Sequence, residues 1–264
     1  METTTMRAEP RAVSAWRWIA AVLALSQLAA PFVADAVAGN FLESGATNEA
    51  LITPAGYAFS LWGLITALSA VTAVAVLRYG LGAWWETSLL IDVSVVFAGF
   101  SVWLVVAAQD WLWVSVVVFA VMVSALIHVL RLLVRRRHDM TCPAWLAVLA
   151  TVTFGLYLGW SSIAVFANVA AALISSGVSA SASGWQFVLL VAAAVFAVGM
   201  TTMLRGSPGY VAGALWALVA IAVGASGRGS TALAVTAGVA AAVVVVAAVA
   251  GWRRGIGRRS GGGR

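Results

Sequence analysis

The stretch AWLAVLATVTFGLYLGWSSIAVFANVAAAL, residues Ala144 to Leu173, contains no charged side chain and decides the class of fold. A helix needs roughly 20 apolar residues to cross the hydrocarbon core of a bilayer, and this stretch exceeds that length. The whole chain has the same character, because 63% of its 264 residues are hydrophobic and only 9% are charged. A soluble domain has about 25% charged residues. The composition predicts an all-α, polytopic membrane protein and excludes a soluble enzyme, a disordered protein and a secreted disulfide scaffold.

Seven further apolar runs, each bounded by charges, proline or glycine, are long enough to be membrane spans. The sequence therefore predicts a bundle of eight transmembrane helices. Their expected ranges are 16–38, 55–77, 87–108, 111–134, 144–173, 185–204, 209–225 and 231–251.

The arginines predict how these spans are oriented. All 15 basic residues are arginine, and with a cytoplasmic N-terminus every one except Arg228 falls in a cytoplasmic segment. Arginine near span ends favours the cytoplasmic side, so both termini are expected there. The arginines do not form one stripe, so no nucleic-acid partner is expected. An alternative is that the first span is a signal peptide with a cleavage site at Ala36-Val37-Ala38.

Motifs for standard catalytic or metal chemistry are missing from the sequence. Cys142 is the only cysteine, which excludes an intrachain disulfide and a thiolate metal cluster. The sequence contains no H-E-x-x-H motif, P-loop or nucleophile elbow. We therefore expect no metal and no catalytic residue, and an enzyme is the less favoured class.

Aromatic side chains inside the spans are the candidates for ligand binding. The second span opens with TPAGYAFSLWGLI, residues Thr53 to Ile65, in which Phe59 and Trp62 share one helix face. In the fifth span, Asn168 lies on one face with three residues that precede it at helical spacing: Tyr157, Trp160 and Ala164. An amide at membrane depth needs a partner inside the bundle, so Asn168 is informative.

These two motifs, in this order, resemble the TspO/MBR family of tryptophan-rich sensory proteins, which is related to the translocator protein. The family's fifth helix has Trp, then Ala four residues on and Asn eight residues on, and this spacing is kept here. The resemblance covers residues 16–173. The sequence departs from the family pattern in having one proline, Pro54, instead of two, Thr66 instead of a tyrosine, and no asparagine ahead of Trp103.

The resemblance implies a five-helix TspO-like region at 16–173, and we interpret residues 174–251 as three additional helices. A cytoplasmic segment, 1–15, and a disordered Gly/Arg-rich cytoplasmic tail, 252–264, complete the predicted organisation. The family also implies a bacterial plasma membrane and allows a homodimer. Trp62, Trp103 and Asn168 are expected in the outer half of their spans, so the Gly39 to Thr53 loop above them is a candidate lid.

For function, the resemblance implies that a hydrophobic planar molecule of the porphyrin or tetrapyrrole type binds in a bundle pocket, with a sensory, regulatory or transport role. The residues expected to line this pocket are Tyr57, Phe59, Trp62, Trp103, Trp160, Ala164 and Asn168. A bound tetrapyrrole is the only cofactor-like group that the resemblance implies. A third interpretation, also from the family, is light-dependent porphyrin breakdown.

The alternative function is a secondary transporter of a small solute, in which Gln27, Asp92 and His128 serve the path. Asp92 and His128 lie near the inner ends of neighbouring antiparallel spans. We therefore expect Asp92 to pair with His128 or Arg131, as an interhelical clamp rather than a proton relay.

Overall fold

The structure is a computed structural model that describes the backbone of residues 10–38 and 49–260 and the side chains of 13–33 and 49–253. Most of the predicted cytoplasmic segment 1–15, part of the predicted lid, 39–48, and the end of the predicted tail, 261–264, lie outside the described residues. All regular secondary structure within those residues is helical, which confirms the predicted all-α class.

Eight helices in the described part of the chain are long and apolar enough to cross a membrane, as the hydropathy pattern predicts. Short 3-10 helices at Gly56–Ser60 and Arg137–Asp139 precede α2 and follow α4. The bounds are α1 Pro10–Ala38, α2 Leu61–Tyr79, α3 Glu86–Ala108, α4 Leu112–Arg135, α5 Ala144–Ser175, α6 Ser183–Met203, α7 Pro208–Gly227 and α8 Thr231–Ser260.

Two helix ends differ from the prediction. The α-helix of the second span begins at Leu61 instead of residue 55, because the chain before it is extended and bonds to α7. Ala55 N–H donates to Ala220 O at 3.0 Å, and a 3-10 helix follows. At the other end of the chain, α8 continues to Ser260, past residue 252 where the disordered tail is predicted to begin. A helix that has started in an apolar run gains a hydrogen bond for each residue that it adds.

The first five helices form a closed bundle around the aromatic core. Helix α1 packs on α2 and α3, α3 on α4, α4 on α5, and α5 on α2. Helix α7 packs along α5, and α8 packs on both α7 and α6. The last three helices therefore share α5 with the first five, and the predicted boundary between residues 173 and 174 falls in the last turn of α5.

Glycines make the contact between α5 and α7 unusually close. A Cβ atom built on Gly159 would lie 2.2 Å from Tyr210 O, and one on Gly213 would lie 2.5 Å from Leu156 O. Gly155 and Gly209 complete a pair of G-x-x-x-G sequences, one on each helix. Small residues at this spacing let transmembrane helices approach until their backbones touch. The position of α7 is therefore fixed directly against the backbone of α5.

The predicted pairing between α3 and α4 is confirmed, with His128 as the partner of Asp92. His128 Nδ1 lies 2.5 Å from Asp92 Oδ2. The His128 side chain is 51% exposed and the Asp92 side chain 24% exposed, so the pair lies on the outer surface of the bundle. It joins neighbouring helices near the end of the bundle opposite to the aromatic core.

Candidate functional site

A cavity of about 480 Å³ opens at the end of the bundle where α2 begins and α5 ends. Four helices and the chain segment before α2 contribute its walls. The lining residues are Glu49, Ala50, Thr53, Pro54, Phe59, Trp62, Trp103, Leu112, Phe119, Trp160, Ala164, Ala167, Asn168, Ala171, Ile174 and Ser175. Glu49 is the only charged residue among them, and most of the others are apolar.

The structure brings six of the seven predicted site residues together around this cavity, and Tyr57 is the exception. Tyr57 is 50% exposed and packs edge-on against Trp216, with ring centroids 5.7 Å apart. The expectation for Tyr57 differs from the structure because Tyr57 precedes Phe59 by two residues, and side chains two apart on a helix do not share a face. Phe59 is three residues before Trp62, so Phe59 reaches the cavity from the short 3-10 helix Gly56–Ser60 and Tyr57 points away from it.

Trp62 is the centre of an aromatic cluster that forms the cavity wall. Its ring centroid lies 5.6 Å from that of Trp103, and the ring of Trp160 stands edge-on to it at 6.1 Å. Three more rings, those of Phe100, Tyr157 and Phe119, lie within 6.3 Å of it. Tilted and edge-to-face pairs of this kind stabilise one another beyond their burial. The aromatic wall is therefore held in place by its own packing.

Asn168 fixes the orientation of Trp103. Its Oδ1 accepts a hydrogen bond from Trp103 Nε1 at 3.0 Å and one from Ser115 Oγ at 3.4 Å. Its Nδ2 donates to Ala164 O at 3.0 Å. The amide thus joins α3, α4 and α5, and most of its hydrogen-bonding capacity is used inside the protein. By contrast, the Trp160 Nε1–H group is buried without a partner among the described residues.

The segment that closes the cavity mouth, residues 49–55, is held by the C-terminal helices. Ile52 N–H donates to Gln186 Oε1 of α6 at 3.3 Å. Arg228, which follows α7, donates from Nη1 to Thr53 O at 2.8 Å and from Nη2 to Glu49 Oε2. Of the predicted lid, the described residues 49–53 thus lie at the mouth.

Sequence reasoning misses several lining residues, although a signal was present for some. Ala167, Ala171 and Ile174 continue along α5 at the helical spacing that already joins Ala164 and Asn168. Phe119 carries no comparable signal, because it lies in a uniformly apolar part of α4. Only tertiary packing shows that it faces the cavity.

The residues proposed for a transport path do not lie along one route. The Asp92–His128 pair lies on the bundle surface away from the cavity, whereas Gln27 is fully buried. Gln27 Oε1 accepts a hydrogen bond from Tyr157 OH at 3.2 Å, and its Nε2 has no partner among the described residues. The ring of Tyr157 packs against Trp62, so Gln27 lies behind the aromatic wall.

Metal chemistry has no support in the described part of the chain, where no group of three or more His, Cys, Asp or Glu residues is placed to hold an ion. The described cavity lining also lacks a nucleophile paired with a base. What the arrangement offers is an apolar, aromatic enclosure with polar groups at its mouth.

The model of a protein family described as TSPO-like protein matches residues 13–250 of the chain. The match extends from α1 into α8. It therefore includes the three C-terminal helices, which lie beyond the region 16–173 that carries the sequence motifs. No curated protein and no solved structure matches the chain.

Proposed function

We propose that this chain, which belongs to the TSPO-like protein family, binds a hydrophobic planar small molecule of the porphyrin or tetrapyrrole type in its aromatic cavity. The chain is an integral membrane protein of the TspO type. The binding of a ligand would serve a sensory, regulatory or transport role.

The observation that carries the proposal is the cavity itself. Its volume of about 480 Å³ falls within the roughly 300–1,000 Å³ of typical small-molecule sites, and such sites are mostly apolar with a few polar groups. Tryptophan and phenylalanine rings supply the flat surfaces that suit a planar ligand. Ala164, Ala167 and Ala171 leave the α5 side of the cavity without bulky side chains.

Binding of protoporphyrin IX to the purified protein in nanodiscs tests the proposal. Trp160→Ala removes aromatic area, and Ala164→Phe fills the space, so each should weaken binding. Trp216 is not a suitable control, because its Nε1 donates to Ala58 O beside the cavity wall at 3.0 Å. Trp145 packs on Tyr79 at the other end of α5, and Trp145→Ala should leave the affinity unchanged.

If Trp160→Ala and Ala164→Phe fold normally and bind protoporphyrin IX as the parent does, the cavity is not the binding site. If the parent binds no planar ligand, the proposal itself is wrong. Ion-coupled uptake of a small solute into proteoliposomes would instead favour the transporter, for which the buried Gln27 amide with its unpartnered Nε2 is the supporting observation.

A further inference from the structure

A second cavity of about 540 Å³ lies beside the mouth of the aromatic cavity, at the connection between α5 and α6. Its lining is more polar and consists of Glu49, Leu51, Ile174 and the chain from Gly177 to Ser181. Glu49 and Ile174 line both cavities. A ligand that fills the aromatic cavity can therefore extend its edge past Glu49 into the second cavity.

The charge at this boundary comes from one ion pair, between Glu49 and Arg228. The Arg228 guanidinium is also anchored by its hydrogen bond to Thr53 O, so its position does not depend on Glu49 alone. Among the described residues, other arginines lie at the opposite helix ends, such as Arg78 in the last turn of α2 and Arg135 in the last turn of α4. In the described part of the chain, Arg228 is the cation that reaches this boundary, through its contact with Glu49, which lines both cavities while Arg228 lies just behind it.

The ion pair is placed so that Glu49 can leave it. The Arg228 side chain is 25% exposed and the Glu49 side chain 32% exposed. A partly hydrated ion pair of this kind stabilises a protein only weakly. The chain next to Thr53 is more firmly held, since Ala55 bonds to Ala220 and a Cβ on Gly224 would lie 2.6 Å from Thr53 O. Arg228 therefore stays in place when Glu49 turns towards water.

We propose that Arg228 recognises a carboxylate on the edge of the planar ligand, and that Glu49 occupies this position on Arg228 until the ligand replaces it. The planar body lies in the aromatic cavity, and the carboxylate lies at the boundary with the second cavity. A guanidinium binds a carboxylate through two parallel N–H groups, which favours this ligand class over a neutral one. This inference rests on the proposed function and narrows its ligands to planar molecules that carry a peripheral carboxylate.

The test compares protoporphyrin IX with its dimethyl ester, which has the same ring and no carboxylate. Both are titrated into the parent and variants in nanodiscs of neutral phospholipid, with porphyrin fluorescence anisotropy as the readout. Arg228→Gln should weaken binding of the free acid about fivefold, the upper range for a partly exposed ion pair. Glu49→Gln removes the competing carboxylate and should strengthen it. Binding of the ester should respond to neither substitution.

Arg136→Gln is the matched control, because it removes the same charge from the other end of the bundle, where Arg136 lies over the Trp84 ring. It should change neither affinity. If Glu49→Gln and Arg228→Gln weaken both ligands alike, the ion pair merely supports the mouth and the inference is overturned. If the parent binds acid and ester equally, with no effect of either variant, the inference fails while the proposed function stands. A parent that binds neither ligand refutes the proposed function.

Discussion

The contact between α5 and α7 gives the sharpest prediction for stability, through the substitution Gly159→Ala. The added Cβ would lie 2.2 Å from Tyr210 O and 2.8 Å from Ala214 N. Both atoms belong to the α7 backbone, so no side chain can rotate to make room. The helices must separate by the missing distance to reach an ordinary contact. Overpacking of this kind costs about 1–3 kcal/mol in the free energy of unfolding.

The matched control is Gly199→Ala in α6, where a Cβ would have no neighbour within 4 Å. Alanine is favoured over glycine inside a helix by roughly 0.5–1 kcal/mol, so this variant should be slightly more stable than the parent. Unfolding in mixed detergent micelles, followed by circular dichroism, measures both changes. If Gly159→Ala is as stable as Gly199→Ala, the two helices are not in backbone contact and the described packing of α7 is wrong.

The remaining predictions concern single side chains. Asp92→Asn should lower the free energy of unfolding by about 1 kcal/mol, as expected for an interhelical polar contact, and full stability with lost pH-dependent uptake would instead support a proton relay. Asn168→Ala should release the Trp103 indole and weaken porphyrin binding, whereas unchanged affinity would show that Trp103 needs no such support. Burial raises the pKa of the Cys142 thiol, so its labelling by a maleimide should accelerate with pH beyond the range of an exposed cysteine, and parallel pH profiles would contradict this.

The helical part of the fold is predictable because a bilayer leaves little choice. Backbone groups in hydrocarbon must be bonded within the chain, so each long apolar run becomes a helix of nearly the predicted length. The conformation of the chain before α2 is instead set by tertiary hydrogen bonds. Residues 53–55 lie outside any helix, where Ala220 and Arg228 bond to them, and those partners lie more than 150 residues away in sequence. A local pattern cannot contain that information.

In the candidate site, too, features set within one helix are predictable from the sequence, whereas features set by contacts between helices are not. Trp160, Ala164 and Asn168 lie on one helix, so their spacing correctly places them on one face. Tyr57 does not line the cavity because it is two residues from Phe59, a spacing that places two side chains on different faces of a helix. The hydrogen bond from Trp103 to Asn168 cannot be predicted from residue spacing within one helix, since it depends on how α3 and α5 pack together.

Helix α7 supports the aromatic cavity from two sides, so the three C-terminal helices are not structurally separate from the first five. Its glycine contact fixes α5, and α5 carries Trp160 in the cavity wall. Its other contacts fix the segment that contains Phe59: Trp216 Nε1 donates to Ala58 O, and Ala220 O accepts from Ala55 N–H. The rings of Phe59 and Trp160 meet edge-on at 5.8 Å, so the two supported walls are themselves in contact.

Stability and ligand binding should therefore be coupled at the α5–α7 contact and uncoupled at the α3–α4 clamp. Gly159→Ala forces α7 away from α5, and this moves the supports of both cavity walls at once. Asp92→Asn weakens a contact on the outer surface of the bundle, away from the aromatic core. At temperatures where both variants remain folded, Gly159→Ala should bind protoporphyrin IX more weakly than the parent, whereas Asp92→Asn should bind it equally well. Equal losses in the two variants would mean that affinity follows overall stability, and that α7 has no specific role in shaping the cavity.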